Sequence, residues 1–453
     1  MPVHATKRRI HTDRCDMPKV YPYRWVILLV FMLINMVVQI QWLAHAAVAR
    51  PAAIFYEGQF DPSSFVNIDF LAVVYMLVFV WMSFPASYVI DTYGIRIGIS
   101  LGAALVGICG LMKGLLGDDF TAVVITQVGL AVAQPFILNS VTAVSVRWFP
   151  LRERGMAAGL SALAQYLGIV IAMIATPFMV GSDPTEPGYG TGFERMLSIY
   201  GWLTFGAALV TLLLLRERPP TPPAVEALPK PAFAKGIRHI LSQRDMRITL
   251  YLFLMGLGIF NAVSSMTDSI AAEAGIEDSD GLIGGLMLIG GILGASTLPL
   301  LSDKLRKRRI FLVVCVLGMV PGMLGLTFAG NLSHDPATVH AISLVSSFIL
   351  GFFIMSAGPL GFQYAAEVTH PAPESTSQGM LLWVGQITGM LFVAGMSVEN
   401  GRYLPAFMRA FSVLSVLSAV VVLFLRESPM IITEQDRLES NRPSIEGGTK
   451  KRP

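Results

Sequence analysis

Long apolar runs separated by short polar breaks organise this chain. The runs fall near residues 25–49, 68–90, 96–116, 120–147, 155–181 and 195–215. A polar gap over 216–247 follows, with Pro219-Pro220-Thr221-Pro222-Pro223 near its start. Six more runs lie near 248–272, 281–302, 309–330, 337–366, 377–397 and 405–425. A bilayer core about 30 Å thick takes about 20 apolar residues of helix to cross, so every run is long enough. In hydrocarbon each backbone N–H and C=O must be bonded within its own segment, which makes each run a helix. The pattern predicts an all-α membrane protein of twelve transmembrane helices in two six-helix bundles, 25–215 and 248–425. The linker is 216–247, and polar tails occupy 1–24 and 426–453.

Composition agrees: 54% of residues are hydrophobic and 14% charged, against about 25% charged in soluble domains. The placement of charge says more than its sum. With the N-terminus inside, the inner segments would be 1–24, 91–96, 147–154, 216–247, 303–309, 367–376 and 426–453, and these hold 28 of the 33 Lys and Arg. The outer loops hold only Arg50, Arg195 and Arg402. Cytoplasmic loops collect basic residues, so both termini are expected in the cytoplasm of a multi-pass protein of the cell membrane.

The cysteines, Cys15, Cys109 and Cys315, match no metal or redox spacing. No metal-ligand helix, nucleophile motif or phosphate-cradling loop is present. No catalytic residue, metal or cofactor is expected, nor any nucleic acid partner. The chain is read as a monomer, with the lipid bilayer and a small-molecule substrate for partners.

Three echoes relate the halves. Leu215-Arg216-Glu217-Arg218-Pro219 closes the sixth run and Leu425-Arg426-Glu427-Ser428-Pro429 the twelfth. Glu153 precedes Gln165 and Gly168 at the same offsets at which Glu374 precedes Gln386 and Gly389. Asp91-Thr92-Tyr93-Gly94-Ile95-Arg96 follows the second run, and Asp303-Lys304-Leu305-Arg306-Lys307-Arg308-Arg309 the eighth. Repeated halves with a site at their interface are a transporter architecture.

Asp91-x-x-Gly94-x-Arg96 resembles the loop signature of the major facilitator superfamily. Arg147-Trp148-Phe149-Pro150-x-x-Glu153-Arg154-Gly155 resembles the loop after the fourth helix of many members. The resemblance implies the major facilitator fold and alternating access. It also implies an interdomain network that favours one access state, here read as Asp91, Arg96, Asp303, Arg306, Glu153 and Arg154. Lys307 to Arg309 are read as topological charge.

A nearer resemblance is to the feline leukaemia virus subgroup C receptor-related transporters. It rests on Gln41-Trp42, on Ile68-Asp69-x-Leu71-x-x-Val74-Tyr75-Met76-Leu77, and on Lys113. Val132-Ala133-Gln134-x-Phe136-Ile137-Leu138 and Gln165-x-Leu167-Gly168 extend it. In the second half it runs from Pro359-Leu360-Gly361-Phe362 through Glu367, Thr369, Pro371, Glu374, Thr376-Ser377 and Gly379 to Gln386. That family's members facilitate choline and ethanolamine uptake, and haem export has been proposed for them. The resemblance implies a pocket of Trp42, Gln134 and Gln386. Asn261 stands where the family has a tyrosine, which removes one wall of an aromatic cage.

The residues carry part of this reading on their own. At about 1.5 Å per residue, Gln134, Asn261 and Gln386 fall in the middle third of the membrane, with Trp42 nearer the outside. Unpaired amides are costly in hydrocarbon, so these face the bundle interior, either bonding to neighbouring helices or lining a cavity. Gln165, Asn35 and Asn139 are read both ways, with Gln165 counted among the candidate substrate contacts. A Trp face attracts an ammonium by about 0.5–2 kcal/mol. No Asp or Glu maps to mid-membrane, whereas proton-driven transporters usually carry titratable groups there. A facilitator of an organic cation follows, and the resemblance implies that the cation is a choline- or ethanolamine-like amine. The alternative is an exporter of haem, drugs or organic anions, coupled to protons. Lys113 is expected to snorkel or to pair with Asp69. The glycines of helix eight (Gly281, Gly284, Gly285, Gly290, Gly291, Gly294) are read as close packing.

Overall fold

The computed structural model describes residues 20–60, 66, 68, 70–181, 188, 190–221, 233–275, 282–333, 335–397 and 402–429. Within them, twelve helices are long and apolar enough to cross a membrane. The first bundle comprises α1 (Tyr23–Leu43), α2 (Phe70–Tyr93), α3 (Ile95–Leu115), α4 (Phe120–Trp148), α5 (Arg154–Met179) and α6 (Phe193–Leu214). The second comprises α7 (Arg244–Ser265), α8 (Leu282–Leu305), α9 (Arg308–Leu332), α10 (Pro336–Val368), α11 (Glu374–Ser397) and α12 (Leu404–Val422). The protein is an all-α, multi-pass membrane protein. Asp69 and most of both tails lie outside the described residues.

Two of the apolar runs are interrupted. The first does not continue as one helix to residue 49; α1 ends at Leu43, and Pro51 stands in the first turn of a short helix, Ala49–Phe55. Proline has no N–H, and that loss costs nothing at such a start, where the N–H would lack an intrahelical partner anyway. The fourth run breaks at Asn139-Ser140, just after Pro135, and resumes as Val141–Trp148.

Small residues let the helices of each bundle approach closely, as helices in lipid must if packing is to hold them. A Cβ on Gly201 would lie 2.9 Å from the Gly110 carbonyl oxygen, which fits α6 against α3. On α8, Gly290, Gly291 and Gly294 abut Phe348, Met355 and Phe352 of α10. Gly281 lies outside the described residues.

The paired Leu-Arg-Glu-x-Pro echoes have a structural purpose. Glu217, just past α6, accepts from the Arg96 backbone N–H at 2.7 Å. Glu427, just past α12, accepts from the backbone N–H groups of Arg308 and Arg309 at 2.8 and 3.1 Å. Each carboxylate thus caps the third helix of its own bundle, where N–H groups lack partners and the helix dipole favours an anion.

Candidate substrate site and the seam beneath it

The two bundles meet along α2–α11 and α5–α8, on the side where α1 begins and the basic loops lie (the basic side below). α11 makes the seam legible residue by residue. Asp91 at the end of α2 accepts from the backbone N–H groups of Ser375 and Thr376, at 3.3 and 2.9 Å, and from the Thr376 hydroxyl at 2.6 Å. One turn further, Gln378 bridges the break in α4: its Oε1 accepts from the Thr142 N–H and hydroxyl, both at 2.8 Å, and its Nε2 donates to the Leu138 carbonyl. Gly379 then leaves room for Ser83, Ser87 and Asn139. The Asn139 amide donates to the Ser83 carbonyl and to both serine hydroxyls at 3.0–3.1 Å. Finally the Trp383 indole donates to the Val80 carbonyl at 2.9 Å and packs edge-on against Phe84, centroids 5.5 Å apart.

The second seam is the pseudo-twofold mate of the first. Asp303 at the end of α8 accepts from the Met156 N–H in the first turn of α5 at 2.6 Å. A Cβ on Gly159 would lie 2.7 Å from the Ala295 carbonyl. Asp303 also pairs with Arg308, whose guanidinium reaches Glu367 of α10 at 3.2 Å. All three are buried, Arg308 to 1% exposure. So each bundle sends one aspartate to the N-terminus of a helix in the other.

The candidate gating residues divide accordingly. Asp91 and Asp303 cross the seam. Arg154 is buried and donates to the Phe149 and Val146 carbonyls, within Coulombic reach of Glu367 and Glu374. Glu153 pairs within its own bundle, with Arg24 at 3.1 Å. Arg96 contributes its backbone N–H, and its side chain is exposed. Arg306 stands in the turn with φ 53°, and among the described residues its side chain has no ion-pair partner. The guanidinium of that loop which enters the network belongs to Arg308. Counting from the aspartate shows why: Asp91-x-x-Gly94-x-Arg96 aligns with Asp303-x-x-Arg306-x-Arg308, so Arg306 takes the glycine position.

Trp383 and Phe84 together plug the seam, and the candidate pocket residues of α11 lie beyond them. Gln386 stands three residues beyond Trp383 on α11, about 4.5 Å further along the helix. Asn261 of α7 packs against the Gly389 backbone, where a Cβ would lie 2.7 Å from its Nδ2. The structure therefore brings Asn261 within a turn of Gln386. Gln386 Oε1 and Asn261 Nδ2 are buried with no hydrogen-bond partner among the described residues. Gln134 is also buried, and no described group bonds its side chain. Trp42 on α1 is half-buried, its ring 6.2 Å from that of Tyr75 on α2. Gln165 uses its amide otherwise, donating to Asn35 Oδ1 at 3.1 Å and so tying α5 to α1.

One contributor escaped the sequence reading, and one expectation changes. Tyr166 packs against the core of the second bundle, its hydroxyl 3.8 Å from where a Gly358 Cβ would sit. An aromatic in an apolar helix gives no signal of its own. Lys113 is fully buried, donating to Gln127 Oε1 at 2.7 Å and to the Gln41 carbonyl and Oε1 at 3.3 Å. It does not snorkel; two glutamines replace water around it, with no carboxylate beside it among the described residues.

Two six-helix bundles joined in pseudo-twofold fashion leave one question of lineage, and a family model answers it. The Major Facilitator Superfamily model matches residues 24–393. The chain belongs to that superfamily. It is a membrane transporter, not an enzyme. This major facilitator is 29% identical to the choline/ethanolamine transporter FLVCR1 of Felis catus over 401 residues, covering 84% of this chain and 69% of that protein. It is 28% identical to solute carrier family 49 member A3 of Xenopus tropicalis, covering 84% and 78%. Among solved structures, the transporter FucP in its outward conformation shares the fold at a TM-score of 0.68 and 13% identity, covering 87% of this chain and 98% of that one.

Proposed function

We propose that the protein carries a small amine of the choline or ethanolamine type by facilitated diffusion, with alternating access between the two bundles. The observation that carries this reading is the pair of amide atoms, Asn261 Nδ2 and Gln386 Oε1, without partners one turn beyond the Phe84–Trp383 plug. With Gln134 and the Trp42 face, they make a neutral, polar and aromatic lining suited to an organic cation. π faces and amide dipoles hold such a cation without the grip of a bare carboxylate. The relatives named for choline and ethanolamine support the same substrate class.

In this reading the basic side is cytoplasmic and the membrane is the cell membrane. The sealed seam then makes the conformation outward-facing. Asp91 and Asp303 hold it shut, each by charge against a helix N-terminus, an interaction of about 0.3–2 kcal/mol apiece. Opening inward requires both to release. The membrane potential would add about 2.3 kcal/mol per charge per 100 mV toward uptake of a cation.

Radiolabelled choline and ethanolamine uptake into proteoliposomes tests the proposal, with Trp42→Ala and Gln386→Ala alongside. Saturable uptake that falls at least tenfold in both variants is expected. Uptake unchanged in both would remove these residues from the pocket, and no uptake of either amine would overturn the substrate class. One observation favours a second reading, proton coupling: Lys113 is a titratable group buried inside α3. An imposed pH gradient that drives accumulation at zero potential would select it.

A further inference from the structure

Two cavities open at the membrane boundary on the basic side, and the internal repeat relates them. The first, about 410 Å³, lies between the start of α1 and the segment after α6, lined by Tyr23, Trp148, Arg216 and Arg218. The second, about 400 Å³, lies between the start of α7 and the end of α12, lined by Arg244, Arg247, Tyr251, Leu417 and Val421. α1 and α6 of one bundle correspond to α7 and α12 of the other. Each notch therefore occupies the same place in its own half, far from the central seam.

Their chemistry matches as well. Each presents two exposed arginines, and none of the four makes an ion pair with a described residue. Arg216 lies over the Tyr23 ring, 4.5 Å from its centroid, and the Tyr23 hydroxyl is occupied in donating to the Leu214 carbonyl at 2.8 Å. That stacking fixes the guanidinium at the rim. Each notch also holds a donor without a described acceptor: the indole Nε1 of Trp148, a residue only 3% exposed, and the Tyr251 hydroxyl. The first-turn carboxylate of α7, Asp245, is already engaged, accepting from the Arg426 backbone N–H at 3.2 Å, and α1 carries no acid in its first turn. Donors therefore outnumber acceptors at both sites, and the ligand they fit is an anion with several acceptor oxygens.

Position selects among such anions. Arg244 opens α7, and Leu417 and Val421 lie in the last turns of α12, so the second notch runs from the helix ends onto the apolar flank. Leu417 is 48% exposed on that flank. A molecule with a phosphate at one end and hydrocarbon at the other satisfies both parts. Guanidinium pairs phosphate in bidentate geometry, where an ammonium offers only a point charge.

We propose that the two notches are headgroup sites for anionic phospholipid of the leaflet on the basic side, one per bundle. Lipid held there bridges the first and last helices of each half.

Native mass spectrometry of the full-length protein in detergent tests this, with dioleoyl phosphatidylglycerol and dioleoyl phosphatidylcholine as the added lipids. Retention of up to two phosphatidylglycerol molecules is expected, with phosphatidylcholine lost under the same activation. Arg216→Gln with Arg218→Gln should lose one bound lipid, and Arg244→Gln with Arg247→Gln the other, each weakening its site about 30-fold. The corresponding Lys double variants should keep most of the binding. All these positions are exposed, and a circular dichroism spectrum matching wild type confirms that a variant is folded. Equal retention of the two lipids, or wild-type retention by the fourfold Gln variant, overturns the proposal. Displacement of phosphatidylglycerol by equimolar sn-glycerol 3-phosphate overturns the lipid assignment in favour of a soluble phosphate.

Discussion

Gly94 and Arg306 are structural equivalents: each stands three residues after the aspartate that crosses the seam, and each has positive φ, 101° and 53°. The turn between α2 and α3 uses the residue suited to that conformation. Its mate between α8 and α9 places an arginine there, at a cost of about 1 kcal/mol. A Cβ at Gly94 would collide with the Glu217 carboxylate 2.5 Å away, so glycine is required at one turn and only favoured at the other.

Arg306→Gly should therefore raise stability by about 1 kcal/mol and leave transport unchanged. Arg308→Gln should do the reverse. It strands Asp303 and Glu367, both buried, and breaking such a network costs about 3–5 kcal/mol. Thermal unfolding in detergent, beside uptake in proteoliposomes, separates the two arginines.

The crossed aspartates make a second prediction. Asp91→Ala and Asp303→Ala each remove a charged cap of about 0.3–2 kcal/mol, shifting the access equilibrium by about 2- to 30-fold toward opening on the basic side. Ser83 is buried in the seam. A Ser83→Cys reporter should react with maleimide faster in either alanine variant and fastest in the double. Unchanged labelling would deny the aspartates a gating role.

These residues also show how far sequence carries. Twelve spans and their halves were legible because hydrocarbon imposes a length and an apolar composition that no other fold demands. Asp91 was legible through its motif. The register of the second copy was not, since four consecutive basic residues after Leu305 offer several alignments and only the turn's φ fixes one. Gln165 was ambiguous for another reason: an amide in an apolar helix signals a polar partner but not whether that partner is a ligand or Asn35. The break in α4 that Gln378 caps was hidden because Asn139-Ser140 interrupts bonding without interrupting hydropathy.

pH should act through His45, which is fully buried just past α1 between the rings of Tyr56 and Phe193. Burial first, and nearby Lys113 second, hold its imidazole well below the ordinary value of 6.5. The unfolded chain then binds a proton near pH 6.5 that the folded chain refuses. Its contribution is intact above that pH and is lost as pH falls toward the folded value, by at most about 1.4 kcal/mol per unit. Melting temperatures from pH 8 to 5 should show this slope in the wild type and a flatter one in His45→Phe.

Asn261 offers a gain of function. A ring at this position on α7 would add a π face beside Gln386, worth about 0.5–2 kcal/mol toward an ammonium. Asn261→Tyr should lower the half-saturating choline concentration between about twofold and 30-fold. A rise instead would mean that contact with Gly389, not the pocket, governs the position.

Glu217 and Glu427 fasten the last helix of each bundle to its third, so each half closes on itself before the halves meet. Covalent continuity through the linker is then not what holds either half together. A gene cut within codons 222–232 and expressed as two separate polypeptides should yield fragments that fold apart, find each other along the two aspartate seams and transport. The division of labour in this molecule is between two self-contained rings, and the peptide between them sets their encounter rate rather than their architecture.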